Sequence, residues 1–344
     1  MAFTTINKST DYFNTVLYQS NNGSAQSITG VNFQPDFLWV KDRTAGGGHV
    51  LVDAVRGSTK MLSSNSTSVE VTRSDQVTSF DSNGFSLGAD SGNFINYSTN
   101  NNVSWNWKAN GPGSSNTDGS ITSTVSVNTT SGFSIVKYTG TGNGGVNTVG
   151  HGLGVIPKVI IIKALTTTQG WYQYHEILGN TKVIDFTGAA AVTNDYWSDT
   201  TPTASVFNVI GNTVVGGNYD YIAYCFAEKQ GYSKFGSYTG NGNADGTFTY
   251  LGFKPAFIMI KKTSGSSDWA MFDNKRQGYN VANNLLYPNN TTSDTTGTFL
   301  DLVSNGFKMR TTATWSNASG ASYIYMAFAE APLVSTNGNA ATAR

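Results

Sequence analysis

A single cysteine, Cys225, stands in 344 residues. No intramolecular disulfide can staple the fold, and one thiol cannot build a zinc site alone. Charge is scarce too: Lys, Arg, Asp and Glu make up 12% of the chain, and the 21 basic residues balance the 21 acidic ones. An ordinary globular chain carries about 25%. So neutral a surface argues against electrostatic capture of nucleic acid. No apolar run reaches the ~18 residues of a membrane-spanning helix, and residues 1–11 lack the basic and apolar regions of a signal peptide. The expectation is a chain made in the cytosol, without membrane insertion. The three histidines, His49, His151 and His175, fall at different places and form no H-x-x-x-H. With no G-x-S-x-G, no Cys/His pair and no Ser/His/Asp order, the reading is a non-enzyme with no catalytic residues, cofactor or metal.

What is abundant is Gly, at 38 residues, with many Asn, Ser and Thr, and aromatics at 12%. A polar chain this rich in aromatics has material for a core and is not disordered. One motif occurs three times, as Pro35-Asp36-Phe37-Leu38-Trp39-Val40-Lys41, Pro157-Lys158-Val159-Ile160-Ile161-Ile162-Lys163 and Pro255-Ala256-Phe257-Ile258-Met259-Ile260-Lys261. Proline suits the first position of a strand, and an apolar run on both faces marks that strand as buried. Eighteen residues after each proline stand Asp53, His175 and Asp273. His175 is expected at a surface or turn.

Other stretches repeat with the same order. Each module begins with a strand ending in Tyr18, Tyr138 or Tyr238 and a Gly/Asn turn. About fifty residues beyond the proline comes an alternating strand, as in Ser82-Asn83-Gly84-Phe85-Ser86-Leu87 and Ser304-Asn305-Gly306-Phe307-Lys308-Met309. Each module closes on an aromatic strand, such as Val103-Ser104-Trp105-Asn106-Trp107, with Trp105, Trp107 and Val103 on one core-facing side. Sustained helical periodicity is absent, although a short helix over residues 52–62 or 173–183 stays open. The fold class is therefore all-β: three tandem β-sandwich, jelly-roll-like modules at 1–110, 121–230 and 231–334. A Gly/Pro/Ser linker is expected at 111–120, modules two and three should form the stiffer pair, and 335–344 reads as a frayed tail.

Several local matches have plainer explanations. Gly140-Thr141-Gly142-Asn143-Gly144-Gly145 fits G-x-G-x-x-G but opens no helix, so a flexible turn is expected. Asn241 to Gly246 resembles half a calcium loop, yet Gly252 stands where the bidentate Glu belongs. Glu228 and Glu330 lie at equivalent strand ends in separate modules and read as solvated charges. The sequons at Asn65, Asn96 and Asn317 are expected by chance in a chain of this composition. Loops rich in Asn, Gly, Ser and Tyr match the palette of glycan- and antigen-binding loops. Tyr97, Tyr196, Trp197 and Trp315 are the candidate contact residues.

Asp11-Tyr12-Phe13-Asn14-Thr15-Val16-Leu17-Tyr18, Val55-Arg56-Gly57, Ser79-Phe80-Asp81-Ser82-Asn83-Gly84-Phe85, Gly150-His151-Gly152-Leu153-Gly154 and Tyr221-Ile222-Ala223-Tyr224-Cys225-Phe226-Ala227-Glu228, together with the proline motifs, carry a resemblance over nearly the whole chain. It resembles a family of three-repeat, tail fibre-like proteins from tailed phages of marine and aquatic bacteria, notably cyanophages. The resemblance implies a virion structural protein with no catalytic residues to transfer. Expected partners are other virion proteins, copies of itself (a trimer favoured) and a host surface glycan. The expected function is receptor binding, and the alternative is a decoration protein bracing the capsid or tail.

Overall fold

A computed structural model describes residues 4–276 and 281–335. The fold is all-β, and two short 3-10 turns, Ser9–Asp11 and Glu176–Leu178, are the helical elements among these residues. In each third of the chain the opening strand (Phe13–Gln19, Phe133–Thr139, Ser233–Thr239) pairs with the closing strand (Asn101–Trp107, Asp220–Phe226, Ser322–Pro332). The closing strand in turn pairs with the proline strand (Phe37–Asp42, Val159–Ala164, Phe253–Lys262). A fourth strand (Val50–Asp53, Trp171–His175, Ala270–Asp273) follows on the far side. These strand pairings are all antiparallel, and a second, smaller sheet covers one face of each large one. In the first module that sheet comprises Gln26–Thr29, Gly84–Leu87 and Val77–Asp81.

Alternation along the proline strand explains why both its faces are apolar. Leu38 and Val40 point into the first module's own core, as Ile160 and Ile162 do in the second and Ile258 and Ile260 in the third. The alternate residues Phe37 and Trp39, Val159 and Ile161, Phe257 and Met259 point the other way, into one cluster shared by all three modules. Closing strands add Trp105 and Trp107, Tyr224 and Phe226, Met326 and Phe328 to it. Rings from different modules touch there: Phe37 stacks on Tyr224 at 4.2 Å and Trp107 meets Phe257 at 5.8 Å. A void of about 10 Å³ at the meeting point is walled by apolar side chains only. It is scarcely one water in volume and offers water no partner, so it stays dry.

Two local expectations resolve differently in the structure. The segment read as a linker contributes a strand, Ser114–Asn116, paired with Ser123–Asn128 at the edge of the second module's sheet. Its composition is that of a linker, but an extended Ser-Ser-Asn backbone can satisfy a sheet edge as well as any other. Of the stretches where a helix stayed open, 52–62 contains the strand Gly57–Leu62, while 173–183 holds the single 3-10 turn Glu176–Leu178 between the strands Trp171–His175 and Lys182–Asp185. The tail lies outside the described residues apart from Ser335.

Gly84 shows why one turn residue is fixed. At φ 154° a Cβ there would sit 1.8 Å from the Ile28 carbonyl oxygen, and the matching Gly306 approaches Thr249 O in the same way at 2.0 Å. Only glycine lets these strands close.

Candidate functional site

The conserved-looking Lys of each proline motif is buried and reaches across a module boundary. Lys41 Nζ donates to Asp42 O at 2.7 Å and to Thr291 O of the third module at 3.2 Å. Lys163 Nζ donates to Ala164 O and to Thr67 O of the first. Lys261 Nζ donates to Ser267 O and to Gly188 O of the second. Burial strips water from each ammonium and lowers it to about 8 despite the accepting carbonyls.

Eight residues after each lysine comes a second crossing. Trp171 Nε1 donates to Ser63 O at 2.9 Å and Trp269 Nε1 to Asp185 O at 2.7 Å. His49 takes this place in the first module. Trp39 Nε1 donates to His49 Nδ1 at 2.8 Å, which puts the ring proton on Nε2, facing Tyr287 O at 2.9 Å. Burial pushes this imidazole down to about 3.

Four residues further, a third set runs the opposite way round. Asp53 Oδ2 accepts from Arg56 Nε at 2.5 Å and from Tyr224 Oη of the second module at 2.8 Å. Asp273 Oδ2 accepts from Arg276 Nε at 2.6 Å and from Trp105 Nε1 of the first at 3.0 Å. Burial opposes ionisation of Asp273, but the adjacent Arg276 outweighs it and holds the carboxyl below its usual range. His175 completes the set, its Nε2 3.4 Å from Tyr325 O of the third module. It is buried, and not at a surface as its lone position suggested; burial lowers it to about 4. The three sets close a ring: module two reaches into one, three into two, and one into three. All of these acids, bases and cations are buried.

The four aromatics expected to make contacts are not brought together. Tyr97 is 50% exposed, on a loop wound around Asp90, whose Oδ2 accepts from the backbone N–H groups of Phe94, Ile95 and Asn96. Tyr196 is half-buried, edge-on to Tyr172 at 5.3 Å. Trp197 is a correction: at 1% exposure it fills the second core against Tyr174 and donates Nε1–H to Lys182 O at 2.9 Å, so it cannot touch a partner. Trp315 is half-buried between Phe272 and Phe299. Cys225 is buried, and burial raises its thiol. Glu228 is exposed, whereas Glu330 accepts from Asn274 and pairs with Lys254 at 3.0 Å.

The surface also holds aromatics that composition alone did not single out. Phe248 and Tyr250 stand outward on the edge strand Phe248–Tyr250, 46% and 53% exposed, with Thr249 turned inward. Register places Ser27 and Thr29 at the matching positions of the first module and Thr148 and Gly150 of the second. The period-two pattern F-T-Y carried this signal. The Asn241 to Gly246 loop is closed by its own amides: Asn241 Oδ1 accepts from Asn243 N and Asn317 Nδ2. Among the described residues no group of three His, Cys, Asp or Glu could hold a metal ion, and no helix is long and apolar enough to cross a membrane.

Fold and boundary contacts together define a three-module all-β protein closed into a ring around one shared core. A family model described as a domain of unknown function, DUF7483, matches residues 8–332, and the chain belongs to that family. No curated protein matches the chain.

Proposed function

We propose that this chain is a virion structural protein of a tailed phage, a tail fibre-like or receptor-binding subunit that holds a host surface glycan through its loops. The observation that carries the reading is the contrast between inside and outside. Boundary lysines recur in all three modules, and boundary indoles and carboxylates in two of them, while the exposed aromatics differ between modules: Tyr97 in the first, Phe248 and Tyr250 in the third. A binding protein needs a rigid frame and unlike surfaces, and sugars stack on such exposed rings. The buried Asp53 and Asp273 are tied to arginines and the buried Asp36, Asp42 and Asp90 to backbone or amide N–H groups, which favours binding over catalysis. Other virion proteins and further copies of the chain, a trimer among them, are its proposed partners.

The second reading, a decoration protein bracing capsid or tail, draws support from the ring itself, since a three-module ring suits a threefold position on a lattice. Imaging of intact particles separates the two. Density at the tail is expected, and density on the head lattice would remove the adhesin reading. In a cell-adsorption assay with purified protein, Tyr97→Ala and Tyr250→Ala together are expected to reduce retention several-fold, with each changing the unfolding free energy by no more than about 0.5 kcal/mol.

A further inference from the structure

The boundary between the first and third modules holds a cleft of about 370 Å³. That lies within the range of small-molecule sites. Its apolar wall is Val69, Val71 and Phe94, the two valines 37% and 39% exposed. Its polar wall is the loop Ser63 to Ser68. Two hydroxyls there are already oriented: Ser63 Oγ donates to Asn65 Oδ1 at 2.7 Å and Ser66 Oγ to Ser68 Oγ at 2.9 Å. Gly48 and Gly92 leave the edges of the Phe94 ring bare of side chains; a Cβ at Gly92 would come within 2.8 Å of it.

Arg73 lines the same cleft, its guanidinium 5.7 Å from the Phe94 ring centroid. Arg43, Arg56, Arg276 and Arg310 each have a carboxylate within ion-pair reach. Arg73 has none among the described residues, and its buried Nε lacks any hydrogen-bond partner. Asp75 feels its charge only through space and gives an oxygen to Ser91 N–H. An arginine in this position asks for an acceptor, and a planar carboxylate matches its fork.

We propose that this cleft binds a carboxylate-bearing sugar, with Arg73 on the carboxylate, the serine hydroxyls and the Asn65 amide on ring hydroxyls, and Val69, Val71 and Phe94 against the C–H face. The proposal rests on the glycan-binding reading and assigns it a site and a ligand class. The second module carries Asn194 where the first has Arg73, by the register of Val192 with Val71, so the second module does not repeat the site.

Glucuronic acid is the probe, with glucose and acetate as controls, read by saturation-transfer NMR on the full chain. Glucuronic acid is expected to bind, with glucose and acetate each at least tenfold weaker, and Arg73→Gln to weaken it about tenfold or more. Val69→Glu, which sets a like charge on the exposed rim, is expected to do the same with the fold intact by circular dichroism. Equal binding of glucose, full displacement by equimolar acetate, an undiminished signal in both variants, or no glucuronate signal at all would each overturn the proposal. Cell adsorption is measured in parallel. Adsorption that persists without glucuronate binding leaves the adhesin reading standing and removes this site; Arg73-dependent binding without adsorption does the reverse.

Discussion

His175 stands where the other modules carry Asp53 and Asp273, and the exchange changes how the fold responds to acid. In the folded chain its ring is buried, accepts at Nδ1 from Ile177 N–H, and stays neutral down to about 4. Unfolded, it would take a proton near its ordinary value of about 6.5. Between those values the unfolded state binds more protons, so stability is whole above pH 6.5 and falls as pH drops toward 4. A gap of about 2.5 units corresponds to about 3 kcal/mol. His49, held lower still, adds in the same direction. Urea midpoints taken from pH 7 down to 4.5 are expected to fall, and to fall less steeply in His175→Gln; an identical slope would rule out the assignment. Nothing in the sequence marks His175 as interior. Its neighbours Tyr174 and Glu176 differ in burial, and only the arrival of the third module's closing strand encloses it.

At the scale of elements, the proline strand was legible and its second face was not. Periodicity shows that Phe37 and Trp39 are apolar on the side opposite Leu38 and Val40, but it cannot say what covers them. The cover is the equivalent strand of the other modules, a long-range contact with no local signature. Trp197 misleads for a related reason: it lies in a turn, yet its indole fills space beneath Tyr174. Arg73 was equally silent, because the lack of an ion-pair partner exists only in three dimensions. The boundary contacts make a quantitative statement possible. Asp53→Asn and Tyr224→Phe, more than 170 residues apart in sequence yet 2.8 Å apart in space, are expected to show a coupling of about 0.5–3 kcal/mol in a double-mutant cycle of unfolding free energies. Additive effects would mean that the two modules do not share this bond in solution.

For the whole molecule, the modules are β-sandwiches with cores of their own, but the largest cluster of buried side chains belongs to none of them alone. Removing a partner would expose faces such as Trp105, Trp107 and Phe37. The 344-residue chain is therefore expected to unfold in a single calorimetric transition, with van't Hoff and calorimetric enthalpies in agreement. The isolated fragment 121–230 is expected to aggregate or bind hydrophobic dyes through its bared Tyr224 face. Three separate transitions, or a soluble well-folded fragment, would contradict a shared core.

The closure of the ring brings Thr4 and Pro332 against one residue, Gly231. Gly231, where the second module passes into the third, packs so tightly that an added Cβ would lie 2.8 Å from Thr4 Cβ and 3.3 Å from Pro332 Cβ. Ile6 is already part of the common core. The second-to-third module junction, the residues before the first strand and the last described strand thus meet at one point of the ring. A chain rejoined between Thr4 and Pro332 and opened instead at Gly111 to Gly113 is expected to keep the ring, because the boundary contacts join modules through space and not through chain order.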